Sequence, residues 1–118
     1  MKKLKGRERR HKILRRKIVG TAEMPRLCVF RSNKNMYAQL IDDATGRTLF
    51  SLSTNGKAVK DKMRYGGGVK GASLLGEEFA KMAKGKGFGR IKFDRAGYLF
   101  HGRVRAFAES ARKNGLIF

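Results

Sequence analysis

A chain of 118 residues with 29 Lys+Arg, 9 Asp+Glu and a net charge of +20 has room for one compact domain and a basic extension, and its self-repulsion calls for a polyanionic partner. The densest source of neutralising charge is a nucleic-acid backbone. The sequence has no apolar run of roughly 18 residues to cross a membrane, no secretory leader is expected, and a single cysteine, Cys28, rules out an internal disulfide or a multi-Cys zinc site.

The first 19 residues carry ten Lys/Arg against one Glu, a local charge of +9. Arg7, Arg9, Arg10, His11, Lys12, Arg15, Arg16 and Lys17 are therefore candidate phosphate ligands. Leu4, Ile13, Leu14, Ile18 and Val19 form only a narrow apolar stripe. The segment is expected to fray in isolation and to order when its charges meet phosphates. Gly20 to Met24 interrupt this pattern, and Pro25 fixes an extended backbone. The expected organisation is a basic RNA-binding arm over residues 1–24 and a single α/β domain over residues 25–118.

Three strands follow. Leu27-Cys28-Val29-Phe30 is a short apolar run, with Cys28 read as a small buried residue; Met36 to Ile41 and Thr48 to Leu52 are the next two. Ser32-Asn33-Lys34-Asn35 and Asp42 to Gly46 are turn sequences suited to hairpins, so these strands form an antiparallel meander. Tyr65-Gly66-Gly67-Gly68 breaks the chain before a helix marked by Leu75, Phe79, Met82 and Ala83 and stopped by Gly85 and Gly87. Arg90 to Phe93 reads as a fourth strand. A last helix spans about Arg103 to Asn114, with Val104, Phe107, Ala108 and Ala111 on its apolar face and Gly115 just past its end. The expected fold is α+β: a small mixed sheet with two helices packed against it, in the order β-β-β-α-β-α, behind a basic N-terminal arm.

Catalysis finds little support. Asp94 and His101 could meet across a loop near Arg95, Tyr98 and Arg103, but no Ser or Cys occupies a nucleophile elbow and no carboxylates cluster to hold magnesium. Asp94 is better read as the partner of a neighbouring arginine. Neither glycine cluster matches a nucleotide-binding loop. No enzyme activity, cofactor or metal is expected. Basic residues beside flat rings are more informative. Arg26, Arg31 and Lys34 flank Phe30 and Tyr37, while Arg95, Arg103 and Arg105 surround Tyr98 and Phe100, a mixture suited to RNA phosphates and unstacked bases. For Phe30 and Phe100 a core position fits equally well. Tyr37 and Tyr98 are expected to stack on bases, although a buried tyrosine with a satisfied hydroxyl suits the same sequence.

Taken together, Arg9-Arg10-His11, Gly20-Thr21, Pro25-Arg26-Leu27, Val29 to Lys34, Tyr37-Ala38-Gln39 and Ile41-Asp42-Asp43 resemble the bacterial-type family of large-subunit ribosomal protein eighteen. Phe93-Asp94-Arg95-Ala96-Gly97-Tyr98-Leu99-Phe100-His101-Gly102-Arg103-Val104-Arg105-Ala106 and Gly115-Leu116 are similar to that family's C-terminal motif. Departures are Cys28 for a frequent Ser, Ala96 for a usual Gly, Phe100 for a usual Tyr, and a glycine-rich stretch from Gly66 to Gly71. The resemblance implies a cytoplasmic, ribosome-bound, non-catalytic protein that binds 5S rRNA and helps attach it to 23S rRNA in the central protuberance, beside neighbouring large-subunit proteins. It also implies that RNA contacts lie on the arm and at Arg26, Arg31, Ser32, Asn33, Lys34, Tyr37, Arg95, Gly97, Tyr98, His101 and Arg103. A free-standing RNA chaperone and a small nuclease are the alternative readings, distinguished by preference for 5S rRNA and by metal-dependent cleavage.

Overall fold

The alternation of apolar and polar residues in the first half produces the meander. The computed structural model describes residues 6–15, 18–62 and 68–118; Arg16, Lys17 and the Tyr65-Gly66-Gly67 breaker lie outside them. Strands β1 (Arg26–Arg31), β2 (Met36–Asp42) and β3 (Arg47–Ser53) pair antiparallel, and β4 (Lys92–Asp94) adds parallel to β1, giving the order β3-β2-β1-β4. In the first hairpin, Ser32 Oγ accepts from the Asn35 N–H and the Ser32 N–H donates to the Asn35 carbonyl, which closes the turn. The fourth strand lies slightly later than the apolar run suggests. Arg90 instead forms an isolated parallel bridge with Ile117.

Helices α1 (Gly6–Arg15), α2 (Lys57–Lys60), α3 (Val69–Gly85) and α4 (Gly102–Lys113) complete the fold. The expected β-β-β-α-β-α order is observed, with α2 as an added single turn. Leu27, Val29, Met36, Ala38 and Leu40 point from the sheet toward α3 and α4 and are fully buried, together with Leu75, Phe79 and Phe107. Phe79 sits at the centre, its ring 4.7 Å from Phe50 and 5.9 Å from Phe107. The alternate positions Cys28, Phe30, Tyr37, Gln39 and Ser51 occupy the opposite face of the sheet. Cys28 is half-buried, and burial pushes its thiol pKa up, which favours the protonated form.

Small residues let the two long helices touch. A Cβ at Gly76 would lie 2.5 Å from the Phe107 carbonyl oxygen, so the α3 and α4 backbones approach too closely for any side chain there. Gly76→Ala is expected to destabilise the domain by about 1–3 kcal/mol, because the clash exceeds the improvement in helix propensity. Chemical denaturation measures this; unchanged or increased stability would show that the helices can separate without cost.

Candidate nucleic-acid interface

Arg26 opens β1 directly after Pro25, on the same sheet face as Cys28, and its side chain is buried there beneath the basic arm. The guanidinium donates to both carboxylate oxygens of Asp43, at 3.0 and 3.1 Å, and to Asp94 Oδ2 at 2.8 Å. Arg26 is 8% exposed and Asp94 fully buried. Burial alone opposes the charge on Arg26, but hydrogen bonds to the two carboxylates raise its pKa overall. Arg26, expected among the RNA contacts, is here turned to two carboxylates of its own chain. Asp94 is the arginine partner expected of it, and its second oxygen accepts from the Ala96 N–H at 2.8 Å.

The network also fixes the basic arm. Asp43 Oδ2 accepts from the Gly20 N–H at 2.7 Å, the Gly20 carbonyl accepts from the Asp43 N–H, and Lys92 Nζ donates to the Val19 carbonyl at 2.9 Å. Above it, α1 lies against the turn after β4: Arg7 donates to the Ala96 carbonyl at 2.8 Å and Arg10 to the Gly97 carbonyl at 2.7 Å. His11 Nε2 is 4.0 Å from Asp94, and Arg15 is 3.8 Å from Asp43 while also donating to the Ile18 carbonyl. Over Gly6–Arg15 the arm is therefore a docked helix in this structure. What the apolar stripe cannot supply comes from arginines meeting backbone carbonyls, a source of order that hydrophobic periodicity does not register.

Gly97 belongs to that contact. A Cβ there would lie 2.0 Å from the Arg7 carbonyl oxygen, and its φ is +81°. It admits the helix backbone. Ala96 also adopts a left-handed φ of +54°, a conformation that suits the glycine usual in the resembling family.

Tyr98 is 8% exposed. Its hydroxyl accepts from the Arg31 N–H and donates to the Arg31 carbonyl, each at 3.3 Å. The guanidinium carbons of Arg7 and Arg31 stand 4.8 and 5.0 Å from its ring centroid, and Phe30 meets the ring edge-on. Tyr98 thus takes the second form that its sequence context allows, a buried tyrosine with a satisfied hydroxyl, and its ring is a pillar that orients two cations. With His101 and Arg103, these residues line a cup of about 240 Å³. Arg103 donates to the Ser32 carbonyl at 2.9 Å, tying the first hairpin to the start of α4.

Beyond the cup, Phe30 is half exposed and its ring is 6.0 Å from Tyr37. Phe30 thus belongs to the open face of the sheet and not to the core. Its cross-strand pairing with Tyr37 follows from the hairpin register, which is the signal that would have placed it there. Asn33 and Lys34 project from the turn tip, while Ser32 is half-buried. Arg9, Lys12 and His101 are exposed; Arg95 is half-buried. The structure thus brings Arg7, Arg31, Tyr98, His101 and Arg103 together, with Tyr37 beside them through Phe30. Among the described residues, no three His, Cys, Asp or Glu side chains form a metal-holding group. No described helix is long and apolar enough to cross a membrane.

The family model of ribosomal L18 of archaea, bacteria, mitochondria and chloroplast matches residues 1–118. Among similar curated proteins, the large ribosomal subunit protein uL18 of Limosilactobacillus reuteri is 55% identical over 116 residues, covering 98% of this chain and 95% of that protein. The proteins of the same name from Lysinibacillus sphaericus and Desulforamulus reducens are 54% and 52% identical over 112 residues, each covering 95% of this chain and 92% of the relative.

Two measurements test this geometry. Hydrogen bonds from Arg26, reinforced by the Gly20 N–H, hold the Asp43 pKa below its ordinary value. Its stabilisation is full above the unfolded-state pKa of about 3.9 and is lost as pH falls through the lower folded-state value. Asp43→Asn is expected to lower stability at neutral pH and to lose less stability than the parent chain on acidification below about pH 4. Parallel pH dependences in denaturant titrations would sink this assignment. Tyr98→Phe, which strips the hydroxyl from both Arg31 backbone groups, is expected to cost about 1–2 kcal/mol; an unchanged melting temperature would show the hydroxyl to be dispensable.

Proposed function

Because the chain belongs to the ribosomal L18 family of archaea, bacteria, mitochondria and chloroplasts, we propose that it binds 5S rRNA and helps attach it to 23S rRNA in the central protuberance, beside neighbouring proteins there. It is a structural protein of the large ribosomal subunit and not an enzyme. The observation that carries the RNA reading is the cup, where Arg7, Arg31, His101 and Arg103 converge around the buried Tyr98 ring. Guanidinium groups fixed in this way present a preorganised site for phosphate oxygens, which lowers the entropic cost of binding.

The arm contributes in two ways. Arg7 and Arg10 seat α1 on the domain, while Arg9 and Lys12 face outward and make no ion pair among the described residues. Residues 1–24 thus act as an RNA-binding arm whose inner arginines set its direction and whose outer cations meet the backbone. Asn33, Lys34 and the Phe30–Tyr37 pair extend the interface onto the open sheet face, where exposed rings suit unstacked bases.

Replacing Arg9 and Lys12 together by Ala is expected to leave the melting temperature unchanged and to weaken 5S rRNA binding. Each lost phosphate contact lowers the log–log salt slope by roughly 0.7 to 0.9, so the double variant should lose about 1.4 to 1.8. A filter-binding salt series on 5S rRNA and an unrelated RNA of equal length provides the test. An unchanged slope would remove these residues from the interface, and equal affinity for the two RNAs would overturn the 5S assignment.

A further inference from the structure

A second concavity lies across the 95–103 loop from the cup. It is a cleft of about 500 Å³ between β4, the loop and the end of α4, with Phe93, Phe100 and Phe118 as its rings and Lys92, Arg95 and Arg112 as its cations. Among the described residues, no Asp or Glu side chain lines it. Phe93 and Phe118 stack at 5.2 Å with an interplanar angle of 28°, and the Arg112 guanidinium stands 4.4 Å over the Phe118 ring while its Nε donates to the Phe118 carbonyl. Lys92 is committed to the Val19 carbonyl. Arg95 differs: its Nε is buried with no hydrogen-bond partner, and it forms no ion pair among the described residues.

We propose that this cleft holds one unstacked nucleotide of the bound RNA, with the base against the phenylalanine rings and a phosphate oxygen accepting from Arg95. The proposal rests on the RNA-binding reading above. A buried donor without an acceptor is costly, and an anionic oxygen is the acceptor selected where every charged side chain in the lining is a cation. Planar walls select a flat ligand, and a nucleotide joins a flat ring to an anion. The volume falls in the ordinary range of small-ligand sites. Position reinforces the chemistry: Leu99 and His101 line the cup while Arg95 and Phe100 line the cleft, so a strand of RNA crossing the loop reaches both. Exposed Leu99 and Ile117 supply apolar surface nearby.

The test places a benzophenone photophore, as p-benzoylphenylalanine, at Phe100 in one chain and at Arg31 in another. Each is assembled into large subunits, purified by sedimentation and irradiated. Position 100 is expected to capture a single rRNA nucleotide, and Arg95→Ala in the same chain is expected to lower that yield several-fold. Capture of protein at position 100, or no capture there while position 31 captures RNA, would overturn the nucleotide site and leave the RNA reading standing. RNA capture at neither position would overturn both. A yield unaffected by Arg95→Ala would overturn the phosphate contact.

Discussion

A single buried arginine sets the geometry of the chain. Arg26 joins the start of β1 to the turn after β2 through Asp43 and to the end of β4 through Asp94, so three elements distant in sequence meet at one guanidinium. The carboxylates in turn orient Gly20 and Ala96, the two points from which the arm and the C-terminal loop take their course. A buried ion group of this kind contributes little net stability compared with apolar packing. Removal of one member nevertheless leaves an uncompensated charge, so the group acts chiefly to exclude other arrangements.

The consequence for the surface is a division of labour among cations. Arg7, Arg10, Arg15, Arg26 and Arg103 are engaged with backbone carbonyls or carboxylates of the chain itself. Arg9, Lys12, Arg31 and Lys34 are exposed. Bonds to neutral carbonyls fix these guanidinium groups in place without removing their charge, and the net +20 already subtracts the carboxylates. The opposite side of the sheet carries the α3–α4 pair, whose exposed ion pairs Lys81–Glu77 and Arg105–Glu109 offset one another.

The meander was legible because its turns contain residues with local hydrogen-bonding capacity and its strands keep a period of two. Both long helices were legible for the corresponding reason at helical spacing. Arg26 was not, because nothing in a pattern of hydrophobicity separates a cation facing solvent from one facing two carboxylates far along the chain. Tyr98 illustrates the same limit. Its ring and hydroxyl suit either a base or a buried pillar, and the choice depends on Arg31, which lies 67 residues away in sequence. The docked arm relies on carbonyl acceptors, which every residue possesses and no sequence pattern marks. Asn33 and Lys34 at the hairpin tip were easier to place at the surface, because position there follows from the turn alone.

The parallel pairing of β1 with β4 also orders events during synthesis. Arg26 emerges well before Asp94, 68 residues later, and Arg7 precedes its acceptor at Ala96 by 89. Until the C-terminal part of the chain is made, β1 has one edge unpaired and the arm has no seat. Contacts so far apart slow folding and lengthen the exposure of incomplete chains. Until then the most basic segment has only its contacts with Asp43 to hold it. During this interval its cations lack the carbonyl partners at Ala96 and Gly97 that later fix their direction.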